Sequence, residues 1–311
     1  MIIKAPIDLE LTQNSGQTSQ PPWKLDNNIY SDVVVADNKA VLFQVKQKEN
    51  NLDFNFIGDI SNKEATKKIK TIFDLDFNLN KFYKYLNNQP ELADMTNFCR
   101  DLRLFLAKDK FECVISSVCS ANNSIVRWTK SIDDIKKSWG NKYTYSEKDY
   151  FTFPDVSDFK NIYCDDLEEL KCCSNLNNPN ECINNLKSCG VGYRAPYMKK
   201  ASEIFTLEMD LDDISKMSYD EAFDTMLKVP GVGPKVADCI LLYGFNFRQA
   251  FPTDVWIKRI VSYLYFDGKD INVSKIREFG MEEFGDYAGY VQLYLFHYAR
   301  MSGLMKKLKG M

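Results

Sequence analysis

Leu227-Lys228-Val229-Pro230-Gly231-Val232-Gly233-Pro234-Lys235-Val236-Ala237-Asp238-Cys239-Ile240, followed after a short interval by Phe251-Pro252-Thr253-Asp254-Val255, sets an amine and a carboxylate at the starts of two helices. Upstream, Ala222, Phe223, Met226 and Leu227 recur at helical spacing, which predicts one amphipathic helix over 218–227. Gly231 and Gly233 permit backbone angles that a Cβ resists, so the chain can turn tightly there. Pro234 suits a first helical position, whose N–H has no partner to lose. A second, mostly apolar helix is expected from Lys235 to Tyr243, stopping at Gly244. The turn then aims unpaired amides at solvent, and helix N-termini attract anions such as phosphate.

Two side chains in this stretch carry chemistry. The positive end of a helix disfavours an ammonium, so Lys235 is expected to have a lowered pKa. A less protonated amine attacks electrophilic carbon, such as C1′ of a nucleoside, and forms a Schiff base. Lys235 also fits a plainer role as a phosphate contact on a gripping hairpin. Asp254 follows a proline by two residues at a helix start, where its plain role is an N-cap worth about 1 kcal/mol.

Composition bounds the rest. The chain of 311 residues is long enough for two unequal domains, and 45% apolar with 27% charged residues is ordinary for a globular protein. No apolar run approaches the roughly 20 residues of a membrane span. The start Met1-Ile2-Ile3-Lys4 lacks a signal-peptide layout, so an intracellular protein is expected, cytoplasmic or nucleoid-associated if bacterial. Nine cysteines, an odd number, suit free thiols in a reducing compartment. Cys164, Cys172, Cys173, Cys182 and Cys189 cluster without a zinc signature, so the segment reads as a Cys-containing insertion and no metal is expected. A net charge of −3 argues against a nonspecific nucleic-acid coat protein but not against an enzyme that holds a few phosphates locally.

The expected fold class is α+β. Alternation at Ile7, Leu9 and Leu11 predicts a first strand, and 33–35 with 40–45 flank Asp37-Asn38-Lys39 as a hairpin; 53–57 adds another strand. From Asn62 the period becomes helical. With Pro90 as a boundary, residues 1–90 are expected to form a β-rich α+β domain and 91–311 a helical one containing the hairpin at about 219–244. Helices are predicted at 95–106, 112–118, 125–139, 167–173, 180–188, 197–206, 219–227, 235–243, 255–264, 273–284 and 287–307.

Four further segments await a role. In 287–296, Gln292 and Phe296 stand four apart and share a helix face; an amide beside an aromatic plane suits a flipped base. Ala121-Asn122-Asn123-Ser124-Ile125-Val126-Arg127 and Gly190-Val191-Gly192-Tyr193-Arg194-Ala195, standing alone, read as a helix-start asparagine and surface arginines beside flexible glycines. Asn14-Ser15-Gly16-Gln17, by itself, is a turn.

Pro230-Gly231-Val232-Gly233-Pro234-Lys235-Val236-Ala237-Asp238-Cys239 resembles the helix-hairpin-helix of DNA repair glycosylases, and the 8-oxoguanine DNA glycosylase/lyase family in particular. The resemblance runs from Ser15 to about Phe296, with an unusual insertion between Phe153 and Ser188. It implies a base-excision-repair enzyme acting on duplex DNA that contains oxidised guanine, as a monomer and without a cofactor. Lys235 would be the nucleophile and Asp254 would stabilise the sugar cation. Cys239 and Phe296 would sandwich the base, Gln292 would read its Watson–Crick edge, and the Gly16 carbonyl would accept the N7–H that 8-oxoguanine has and guanine lacks. Asn122, Arg127, Tyr193 and Arg194 would wedge the duplex and read the opposite strand, while Gly231 and Gly233 would hold phosphate. Two departures stand out: Trp256 replaces the usual phosphate-contacting histidine, and Thr18-Ser19-Gln20 replaces the usual Phe-Arg-Trp. The endonuclease III and adenine glycosylase branches carry a four-cysteine iron–sulfur loop after the acid, and no cysteine follows Cys239 here. The alternatives are a glycosylase of the same fold for another damaged purine, and a non-catalytic helix-hairpin-helix DNA-binding protein.

Overall fold

Five strands form one antiparallel sheet: β1 (Ile2–Ile3), β2 (Lys24–Asp26), β3 (Ile29–Ala36), β4 (Lys39–Lys48) and β5 (Asn51–Ile57), in the order β1-β5-β4-β3-β2. The computed structural model describes residues 1–36, 39–165 and 184–309. On β4, Val41, Phe43 and Val45 alternate onto the buried face, meeting Leu52 and Phe54 of β5. The expected hairpin forms in register, with Ala36 opposite Lys39; Asp37 and Asn38 lie outside the described residues.

The predicted strand at 7–11 is instead a short helix, α1 (Leu9–Asn14). Asp8 caps it, its Oδ1 accepting from the Leu11 N–H at 2.8 Å. The residues it buries, Leu9, Thr12 and Gln13, follow helical spacing. Local capping won over an alternation too short to bind a partner strand. Helix α2 (Asn62–Ile72) starts at a capping box in which Ser61 and Glu64 satisfy each other's amides. It covers the sheet's inner face and is followed by α3 (Leu79–Asn87).

The helix predicted over 95–106 stops early, as α4 (Met95–Phe98). Beyond it the backbone bonds elsewhere: the Leu106 N–H donates to the Ile72 carbonyl at 2.8 Å and the Ala107 N–H to the Tyr243 carbonyl at 2.8 Å. Next come α5 (Lys110–Ser120), α6 (Ile125–Trp139), a two-stranded hairpin of β6 (Lys142–Tyr145) and β7 (Lys148–Phe151), and α7 (Val156–Phe159). The β6–β7 hairpin was not expected; its turn uses Ser146 and Glu147 at positive φ, without glycine. Tyr150 of β7 buries Val33 and Leu42 on the sheet's outer face.

The remaining helices are α8 (Ala195–Leu207), α9 (Leu211–Ile214), α10 (Tyr219–Leu227), α11 (Pro234–Phe245), α12 (Val255–Tyr265), α13 (Val273–Phe284), α14 (Ala288–Met301) and α15 (Leu304–Lys309). Helix α11 ends at Asn246 in the left-handed region, two residues beyond the Gly244 expected. Gly303, at φ +81°, splits the single helix expected over 287–307. The helix expected at 167–173 and the first part of that expected over 180–188 lie outside the described residues; the described remainder holds a 3-10 turn at Leu186–Cys189.

Two apolar cores result. One lies between sheet and α2, using Ile3 to Leu75 plus Phe105; the larger runs from Phe77 to Leu308 among the helices. Two ion pairs lie buried: Lys108, just before α5, binds Asp32 of β3, and Lys136 of α6 binds Glu112 of α5 at 2.6 Å. Among the described residues no helix is long and apolar enough to cross a membrane. Helix α5, buried nearly throughout, touches α6, α8 and α11 and brings the sequence-distant site segments to one mouth.

Candidate active site

The hairpin between α10 and α11 has one glycine required by the fold and one not. Gly231 sits at φ +84°, and a Cβ there would lie 2.8 Å from Tyr197. Gly233 is extended, with φ −92° and ψ 178°, and a Cβ there would meet nothing within 4 Å. No side chain caps α11. Gly233 therefore leaves a bare helix N-terminus facing solvent, an arrangement suited to close approach by an anion.

Lys235 opens α11 and points into a cleft of about 880 Å3. The same cleft is lined by Gly16, Cys239, Asp254 and Phe296, and its rim by Asn122, Arg127 and Trp256. Four sequence-distant segments thus meet around one amine. The electrostatics reverse the sequence expectation: Lys235 is held above the ordinary lysine range, first by the Cys239 thiol beside it and then by Asp254 and Asp238, which outweigh burial. Burial pushes the Cys239 thiol up, opposed by Lys235. With its pKa raised, the amine must shed a proton before it attacks.

Asp254 caps α12. Its Oδ1 accepts from the Trp256 N–H at 2.9 Å and the Ile257 N–H at 2.8 Å. Oδ2 takes part in neither bond, so a half-buried carboxylate oxygen remains for the cleft. The capping role and a cation-stabilising role are therefore compatible in one residue.

Under the hairpin lies a buried cluster that sequence reasoning missed. Asp238, fully buried, receives the Arg277 guanidinium at 2.7 and 3.1 Å and the Tyr219 hydroxyl, with Arg277 stacked 4.0 Å from the Phe223 ring centre. It locks α10, α11 and α13 together one turn from Lys235. Its only sequence signal was an acid on an otherwise apolar helix face.

Gly16 follows α1 rather than a strand. At φ +72° a Cβ would lie 2.7 Å from Ile125 Cδ1, so the turn requires glycine. Arg300 donates to the Ser15 carbonyl at 3.0 Å and lies 5.7 Å from the Phe296 ring centre. Arg300 was also missed, although it continues the stripe of Gln292 and Phe296 along α14. Gln292 does not line the cleft wall: it is 2% exposed and donates its Nε2–H to Gln17 Oε1 at 2.9 Å.

The opposite-strand set divides. Tyr193 is 59% exposed, Arg127 is exposed, and Asn122 turns outward at φ +49°. Arg194 is 8% exposed and points inward, donating to the Ala121 carbonyl at 2.8 and 2.6 Å and the Asn122 carbonyl at 2.8 Å. In this state it shapes the Asn122 turn instead of offering itself to a base. Trp256 lies at the cleft with the Arg259 guanidinium 5.4 Å from its ring. Cys164 and Cys189 form no disulfide, and among the described residues no group of acids, cysteines and histidine could hold a metal; Cys172, Cys173 and Cys182 lie outside them.

The family model for the 8-oxoguanine DNA glycosylase N-terminal domain matches residues 1–114, and that for the HhH-GPD superfamily of base excision DNA repair proteins matches 115–285. The chain is 45% identical to a probable N-glycosylase/DNA lyase of Methanothermobacter thermautotrophicus over 97% of its own length and 96% of that protein. It is 26% identical to the N-glycosylase/DNA lyase of Saccharomyces cerevisiae, over 95% and 84% of the two chains. The crystal structure of Clostridium acetobutylicum 8-oxoguanine glycosylase/lyase, in complex with double-stranded DNA containing cytosine opposite 8-oxoguanine, is similar with a TM-score of 0.78 and 28% identity, over 97% of this chain and 98% of that one. With one family model matching residues 1–114, the other matching 115–285, and a relative 45% identical over nearly the whole chain, this chain belongs to the HhH-GPD superfamily of base excision DNA repair proteins, in its 8-oxoguanine DNA glycosylase branch.

Proposed function

We propose that this chain is a bifunctional DNA glycosylase and abasic-site lyase that removes 8-oxoguanine from duplex DNA. The observation that carries the reading is the convergence of Lys235, Cys239, Asp254, Phe296 and Gly16 on one cleft beside a bare helix N-terminus. The exposed Tyr193 wedges into the duplex, the damaged nucleotide enters the cleft, and Phe296 and Cys239 hold its base from two sides. The Gly16 carbonyl accepts the N7–H of the oxidised base; guanine N7 is an acceptor and would face its lone pairs. Asn122 and Arg127 remain at the rim for the base left opposite.

Lys235 then acts in its neutral form. As positive charge develops on the sugar, Asp254 stabilises it; Nζ bonds to C1′ while the glycosidic bond breaks and its electron pair leaves with the base. Ring opening gives the Schiff base. Loss of a C2′ proton and cleavage of the C3′–O bond complete β-elimination, and water releases the lysine. No step in this route requires an added cofactor.

The test is borohydride trapping on duplexes carrying 8-oxoguanine, guanine or uracil opposite cytosine. A covalent adduct is expected on the first alone, and Lys235→Gln should abolish it while duplex binding persists. No adduct with the native chain, or a Gln variant that still cleaves, would refute the reading.

A further inference from the structure

Gln17 sits between the two groups assigned to read the base. Its Nε2–H donates to the Gly16 carbonyl at 3.4 Å, and its Oε1 accepts from Gln292 Nε2 at 2.9 Å. The residue is half-buried and lines the cleft. Its carboxamide therefore offers the seat a donor toward Gly16 and an acceptor toward Gln292. An 8-oxoguanine base offers the same pair: the N7–H donor and the O6 acceptor, the latter at the corner shared with its Watson–Crick edge.

The match is incomplete, and the mismatch is informative. Gln292 Oε1 is buried without a partner among the described residues, in a side chain only 2% exposed. A buried acceptor left unpaired is a costly arrangement that a ligand can relieve. 8-Oxoguanine carries N1–H beside O6, so this base in place of Gln17 supplies both the acceptor for Gln292 Nε2 and the missing donor for its Oε1. Gln17, with one carboxamide spread across two groups, supplies only the first.

The loop around Gln17 is anchored on both sides. Arg300 donates to the Ser15 carbonyl at 3.0 Å, and the Thr18 hydroxyl donates to the Phe105 carbonyl at 2.9 Å. The backbone carrying the Gly16 carbonyl is thus held, while the Gln17 side chain is secured, among the described residues, by the two bonds it makes in the seat and can rotate away by its own torsions. We propose that Gln17 is a built-in stand-in for the damaged base: it occupies the recognition seat of the free protein, keeps the Gly16 carbonyl and the Gln292 amide aimed, and swings out when the base enters. This rests on the assignment of Gly16 and Gln292 as base readers.

Equilibrium binding in the Lys235→Gln background, which cannot cleave, tests the proposal. Gln17→Ala removes the competing hydrogen bonds, so affinity for a duplex with 8-oxoguanine opposite cytosine should tighten about tenfold, the weight of roughly one or two net hydrogen bonds. Affinity for the undamaged duplex, whose bases stay stacked, should not change. Gln17→Met, which keeps the bulk without the polar atoms, should tighten lesion binding by a smaller factor. Lesion affinity that is unchanged or weaker in both variants overturns the proposal, since a residue that contacts the bound base or merely supports Gln292 would weaken binding when removed. A Lys235→Gln parent that shows no preference for the lesion duplex would instead overturn the base-reading assignment itself.

Discussion

Replacing Asp254 by asparagine and by alanine separates its capping role from its proposed role in stabilising the sugar cation. As a cap, one oxygen serves two backbone N–H groups at 2.9 and 2.8 Å. Alanine removes that acceptor, at about 0.5–2 kcal/mol. Asparagine keeps an acceptor and loses only the charge at the helix N-terminus, about 0.3–1 kcal/mol. At roughly 2–4 °C per kcal/mol, melting should fall by about 1–8 °C for alanine and about 0.6–4 °C for asparagine. Catalysis should follow a different order. If the carboxylate stabilises the transition state, its loss resembles removal of an oxyanion-hole donor, about 10²- to 10³-fold in rate. Both variants should therefore lose about that factor in single-turnover excision of 8-oxoguanine, whatever their stability. The assay uses excess enzyme on a lesion duplex at a temperature where both variants are folded. An asparagine variant within about threefold of the native rate would refute the catalytic reading and leave Asp254 a cap.

Three further outcomes follow from the geometry. Because Cys239, then Asp254 and Asp238, hold Lys235 above the ordinary lysine value of about 10.4, the reactive amine is scarce at neutral pH. kcat/KM for excision should then rise about tenfold per pH unit from 7 to 9, and a flat profile would show that the free amine is already dominant; the favourable contacts of the ammonium persist until pH passes its raised value. Asp238→Ala leaves the Arg277 guanidinium without its bidentate partner and should cost about 3–5 kcal/mol in denaturant unfolding, whereas a loss under about 1 kcal/mol would mean the cluster is dispensable. Arg127→Ala removes an exposed cation at the rim and should reduce the preference for cytosine opposite the lesion by about 10-fold or more, one bidentate base contact; unchanged preference would move that role to another residue.

Features set by near neighbours were readable from residue order. The helices at 125–139, 219–227 and 273–284 have the bounds their spacing predicts, because helical periodicity and capping act over a few residues. The Gly231 turn and the helix starts at Pro234 and Asp254 were legible for the same reason. The misreadings have the converse cause. Residues 7–11 alternate like a strand, yet Asp8 offered a local cap; the 142–151 hairpin lacks a glycine turn signal and is held by packing of Tyr150 on the sheet.

By itself, the sequence determined the hairpin, the order of lysine before acid, the helical class of the second half and the family resemblance. Only the tertiary structure decided which way the site leans chemically. Cys239 and two carboxylates, not the helix end alone, govern the Lys235 amine. Arg194 turns in to hold Asn122, and Gln17 meets Gln292 across 275 residues. Electrostatic environment and hydrogen-bond partnership depend on distances between side chains, and folding sets those distances between segments whose separation along the chain carries no record of them.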